Sequence, residues 1–131
     1  MPLLLNIDVP EMQAAERFYT AAFGLEPGRR FDEDFLELLG WPCPVYLLRK
    51  PPGSRGAGED MRRYARHWTP IHPDVVVDDL DAALERAAAA GAVIESAPTT
   101  QSYGRIAMLA DPFGHGFCFI EFNDRGYDAL L

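Results

Sequence analysis

The sequence predicts an α+β fold: two βαβββ repeats forming a curved mixed sheet around a cleft, with the helices on the outer face. Three observations carry this. The chain repeats itself: "LLLNIDVPEMQAAERFYTAAFGLE" (3–26) lies on "IHPDVVVDDLDAALERAAAAGAVIE" (71–95) after a shift of 68 positions. Each copy holds a stripe of apolar residues at helical spacing. After each helix come three short, strand-like pieces separated by glycine, proline and acidic residues.

The repeat is matched residue by residue. Val9 falls on Val77, Met12 on Leu80, Ala14 and Ala15 on Ala82 and Ala83, and Leu25 on Val93. In the first copy Ala14, Ala15, Phe18, Tyr19 and Ala22 form the helical stripe, with Pro10 suited to the first helical position and Gly24 to the end. "LEPGRRF", "DFLELLG" and "PVYLLRK" follow as strands. In the second copy Leu80, Ala83, Leu84, Ala87 and Ala88 form the stripe, Asp78 sits where an N-cap belongs, and Gly91 ends the helix. "AVIESAP", "YGRIAMLA" and "GFCFIEF" follow. The expected organisation is a first module at 1–49, a connecting loop at 50–69 and a second module at 70–131, together one domain. The connection is long for a compact domain, and its "MRRYARH" run is either a lid over an anionic substrate or a solvated connector.

Composition narrows the function classes. The formal charge of −8 argues against a nucleic-acid partner, which needs a basic footprint. No apolar run reaches the roughly 18 residues of a membrane span. The opening "MPLLLNIDVPEM" lacks a basic leader region, so the expected location is cytoplasmic. Cys43 and Cys118 stand alone, without CxxC spacing, and read as reduced thiols.

The paired βαβββ units, the segments "VPEMQAAERFYTAAFGLE" and "VVVDDLDAALERAAAAGA", and the late "DPFGHGF" together resemble the vicinal oxygen chelate superfamily. That group includes glyoxalase I, extradiol dioxygenases, and fosfomycin and bleomycin resistance proteins. The resemblance implies a homodimer with a small-molecule site. It also implies four metal-ligand positions, on the first and last strand of each half. Here they fall on Leu4, Tyr46, His72 and Cys118. Leucine cannot ligate, tyrosine rarely does, and cysteine favours softer ions than Mg, Mn, Fe or Ni. The expectation is therefore no cofactor, with a divalent metal as the alternative and His72 and Glu121 as its fallback ligands.

Strand alternation puts His72, Asp74 and Val76 on one face of their strand, and Ile71, Val75 and Val77 on the helix side. Cys118, Ile120 and Phe122 likewise share a face, with Phe117 and Phe119 opposite; Glu121 is out of phase with Cys118 and faces away from the cleft. His72 either contacts a ligand or acts as a base, or it is an inert remnant of a metal site. Cys118 is a nucleophile beside His72 or a small buried hydrophobe. Asn6, Tyr46, His72, Asp74, Arg105 and Cys118 are the expected ligand-binding residues, with Arg105 facing the pocket because a buried arginine needs a partner. Asp8 either lines the cleft or caps the first helix, and Trp41 is a stacking surface or core. "DPFGHG" reads as a turn with His115 toward solvent. The function expected is a glyoxalase/bleomycin-resistance-like protein that binds a small molecule without metal. The alternative is a metal-dependent lyase or dioxygenase using His72.

Overall fold

A computed structural model describes residues 1–131. The first copy of the repeat runs β1 (Leu5–Val9), α1 (Met12–Phe23), β2 (Glu26–Asp32), β3 (Phe35–Leu39) and β4 (Val45–Arg49). A small hairpin, β5 (Arg55–Ala57) and β6 (Asp60–Met61), follows within the connection. The second copy runs β7 (Asp74–Val76), α2 (Leu80–Ala90), β8 (Val93–Gln101), β9 (Gly104–Ala110) and β10 (Gly116–Phe122), and ends in a 3-10 turn at Gly126–Leu130. The chain divides into two compact units, Met1–Ala65 and Arg66–Leu131, so the division falls inside the connecting segment and the hairpin belongs to the first unit.

Each unit has one mixed sheet of four strands, in the orders β1-β4-β3-β2 and β7-β10-β9-β8. The first strand of each unit pairs parallel with the last, and the remaining pairs are antiparallel. A parallel pair needs a crossover connection, and the helix supplies it. The helix also covers one sheet face. Met12, Ala15, Phe18, Tyr19 and Ala22 of α1 are buried, as are Leu36, Leu38, Val45 and Leu47 of the sheet. In the second unit Leu80, Ala83, Leu84 and Ala87 meet a sheet whose buried residues include Leu109, Phe117 and Phe119. Ala88, expected in this stripe, is exposed at the edge of the helix.

Both helices begin at a carboxylate one residue beyond the expected site or further. Glu11, not Pro10, opens α1: its two oxygens accept from Gln13 N (3.0 Å) and Ala14 N (2.7 Å). Asp79, not Asp78, caps α2 through Ala82 N at 3.0 Å. Glu11 and Asp79 are again related by the 68-residue shift. Asp8 does not cap α1; its carboxylate takes Arg62 Nε at 2.7 Å and ties the hairpin segment to β1. Tyr64 donates to Lys50 O at 2.7 Å, and Arg66 pairs with Glu95, so "MRRYARH" is a pinned strap. Trp41 packs edge-on to Phe23 with ring centroids 5.2 Å apart. Ile71 lies before β7 begins, outside the reach of α2, and is 90% exposed. No helix is long and apolar enough to cross a membrane.

Gly104 opens β9 at φ +144°, and a Cβ there would fall 2.0 Å from Glu121 O and 2.9 Å from Phe122 Cα. Gly104→Ala should therefore lose about 2–4 kcal/mol in denaturant unfolding. Gly53→Ala, at φ +78° with open space around it, should lose only about 1 kcal/mol. Equal losses at the two positions would show that the close approach of β10 does not constrain Gly104.

Candidate functional site

In each unit the helix packs on one face of the sheet, and the candidate residues stand on the opposite face. On the face of the second unit's sheet away from α2, the β7–β10 register sets Asp74 directly beside Cys118. His72 lies two residues before Asp74, ahead of β7, and its ring comes beside Asp74. Donor atoms of His72, Asp74 and Cys118 all lie within 4.8 Å of one another. His72 Nδ1 is 3.1 Å from Asp74 Oδ1, but the approach lacks hydrogen-bond geometry, and this buried nitrogen has no hydrogen-bond partner. The imidazole ring packs against Trp68, centroids 4.7 Å apart. Tyr103, Phe122 and Tyr127 form an edge-to-face ring cluster with centroids 4.8–6.3 Å apart.

Cys118 is 3% exposed. Burial first, then the Asp74 charge and the hydrogen bond to it, push its thiol up from 9.0 to about 11. At neutral pH it is a protonated donor to Asp74, and a thiolate nucleophile activated by His72 is not what this surrounding makes. The neighbouring turn is structural. Asp111, 3% exposed, accepts from Phe113 N and His115 N, each at 2.8 Å, and its second oxygen lies 2.7 Å from His115 Nδ1.

The first unit places Asn6 beside Tyr46 at the corresponding register. Asn6 is exposed. Tyr46 is 9% exposed and donates its hydroxyl to Glu37 Oε2 at 3.3 Å. Glu37, 5% exposed, is the centre of a network absent from the expected site. Arg29 gives it three bonds: backbone N at 3.1 Å, Nε at 2.9 Å and a terminal nitrogen at 2.6 Å. The Arg29 bonds, and secondarily Tyr46, hold the Glu37 carboxyl down at about 2 from the usual 4.5. Gly28 makes room, since a Cβ there would sit 2.7 Å from Glu37 Oε1. Phe31, Phe35 and Tyr46 form a ring cluster, with centroids 4.5–6.3 Å apart, that Tyr46 ties to the carboxylate through its hydroxyl. Alternation in "FLELL" could have located Glu37, because it sets Phe35, Glu37 and Leu39 opposite the buried Leu36 and Leu38.

Two expected residues do not join these faces. Arg105 pairs in register with Glu121, so both project to the helix side. There Arg105 binds Asp81 of α2 at 2.9 and 3.2 Å. Glu121 accepts from Leu80 N at 2.7 Å, which closes the start of α2 and removes it as a metal ligand.

His72, Asp74 and Cys118 are the residues that could hold a metal. One imidazole, one carboxylate and one thiol suit zinc better than the oxygen-seeking Mg or Mn, and the thiol must first give up a firmly held proton. The equivalent place in the first unit offers Leu4 and a Tyr46 already bonded to Glu37. The set does not fit an Mn-type centre.

The glyoxalase-like domain family matches residues 5–120. The anthracycline biosynthesis protein DnrV of Streptomyces peucetius is 32% identical over 117 residues, covering 88% of this chain and 39% of that protein. This chain thus spans about two fifths of that relative's length. A glyoxalase/bleomycin resistance protein/dioxygenase family enzyme from Burkholderia phytofirmans has the same fold at TM-score 0.69, with 20% identity over 92% of this chain and 97% of that one. So does a mutant of the fosfomycin resistance protein FosX from Listeria monocytogenes, complexed with Mn(II) and 1S,2S-dihydroxypropylphosphonic acid. Its TM-score is 0.71, with 16% identity over 95% of this chain and 91% of that one.

Two measurements check this geometry. In native protein at pH 7–8, iodoacetamide should modify the half-buried Cys43 first and reach Cys118 only on unfolding; prompt labelling of Cys118 would contradict its protonated, buried state. The second is acid titration. The folded Glu37 carboxyl sits below its unfolded value, so its stabilisation is present above about pH 4.5 and is lost as pH falls through about 2. Glu37→Gln should remove that part of the acid limb, and an unchanged limb would show that the Arg29 pair does not hold the carboxyl down.

Proposed function

We propose that this chain, which belongs to the glyoxalase-like domain family of the vicinal oxygen chelate superfamily, binds a small apolar or aromatic molecule on the sheet faces away from its helices, without a metal. The family contains enzymes and resistance proteins alike, and the fold does not choose between them. The observation that carries the reading is the chemistry at the paired strand positions. Tyr46 is bonded to a carboxylate that Arg29 already neutralises, and Cys118 is a protonated thiol on Asp74. Neither position offers a free anionic ligand. What the faces do offer is aromatic surface: Phe31, Phe35 and Tyr46 in one unit, Trp68 and the Tyr103–Phe122–Tyr127 cluster in the other. Such surface binds apolar bodies, and a few placed polar groups orient them.

On this reading His72 is a contact residue of the second unit, its half-buried ring packed against Trp68 and beside Asp74. Asn6, Tyr46, Asp74 and Cys118 line the two faces. The protein acts as a cytoplasmic homodimer that sequesters its ligand. Exposed apolar residues on the uncovered side, Leu4 and Val76 among them, support a partner copy.

The experiment is metal analysis of untagged protein beside a His72→Ala variant. Both should hold well under one equivalent of any transition metal and melt at similar temperatures. Close to one equivalent in the wild type, lost in the variant, would replace this reading with a metal-dependent enzyme.

A further inference from the structure

The Glu37 network has an asymmetry that a purely structural ion pair does not need. The carboxylate side chain is 6% exposed and fixed by its neighbours, whereas its partner Arg29 is 67% exposed and reaches it from solvent. The guanidinium lies 5.0 Å from the centre of the Phe31 ring, over its face. Phe31 is itself 47% exposed, so it does not serve the helix-side core. The ring cluster, joined to the buried carboxylate by the Tyr46 hydroxyl and to Arg29 by the Phe31 face, offers a cation both charge and ring faces. A register shift in β2 between Pro27 and Arg30 brings the arginine to this cluster.

We infer that the Glu37 carboxylate with the adjoining Phe31–Phe35–Tyr46 ring cluster is a site for an organic cation, a primary ammonium or guanidinium carried on an apolar body, and that Arg29 occupies it as an internal competitor. The inference rests on the binding reading above and names its ligand class. A ligand cation displaces the guanidinium into water, where an arginine is well solvated, and keeps the buried carboxylate paired. The overall charge of −8 favours the approach of such a ligand.

The test uses benzylammonium and its neutral counterpart benzyl alcohol, titrated calorimetrically into wild type, Arg29→Ala and Arg29→Ala/Glu37→Gln. Arg29→Ala should bind benzylammonium at least about tenfold more tightly than wild type does, because the competitor is gone. The double variant should lose the preference for ammonium over alcohol. Benzylammonium should also raise the melting temperature of Arg29→Ala and leave that of the double variant unchanged, a readout that survives a poorly folded single variant. If benzyl alcohol binds every variant and benzylammonium gains nothing in Arg29→Ala, the cation site is wrong and the binding reading stands. If neither probe binds any variant, both fail.

Discussion

The parallel pairing of the first strand of each unit with its last is the contact on which the rest depends. β1 on β4, and β7 on β10, force the chain to cross over, and the crossover is the helix that buries one sheet face. A single helix cannot cover two faces. The face away from the helix is therefore a consequence of the topology, and the same pairing decides which side chains stand together on it. Asn6 meets Tyr46 and Asp74 meets Cys118 because these are the register partners.

The two units use the same place for different chemistry. In the first, a buried carboxylate is paired with Arg29 and bonded to Tyr46 of an aromatic cluster. In the second, an imidazole, a carboxylate and a neutral thiol lie together, with one ring nitrogen unpaired. Neither is a set of hard, anionic oxygen donors. On the proposed reading, these faces recognise a ligand by shape, aromatic contact and a small number of polar groups.

Much of this was legible in the sequence. The 68-residue repeat set out both βαβββ units, and alternation set His72, Asp74 and Cys118 on one face and Glu121 on the other. Helix starts were misjudged because Pro10 and Asp78 are reasonable openings by type, while Glu11 and Asp79 are the residues whose carboxylates reach the free N–H groups. Arg105 was misplaced by treating an arginine in a strand as buried; it stands opposite Glu121, so whatever face one takes the other shares. Ile71 was misplaced because apolar character was read as strand membership, and the strand starts three residues later. The Arg29–Glu37 pair went unseen for another reason. A bulge in β2 breaks the alternation that would have aligned Arg29, and a bulge is not visible in a single sequence.

The most direct test of the central claim is ligand binding with and without a chelator. A neutral polycyclic dye such as Nile red, titrated into the protein by fluorescence, should bind with the same affinity before and after exhaustive treatment with EDTA, and adding Mn(II) or Zn(II) should change nothing. Binding that disappears with the chelator and returns with one of those ions would show that a metal organises the site, and the account of a metal-independent binding face would be wrong.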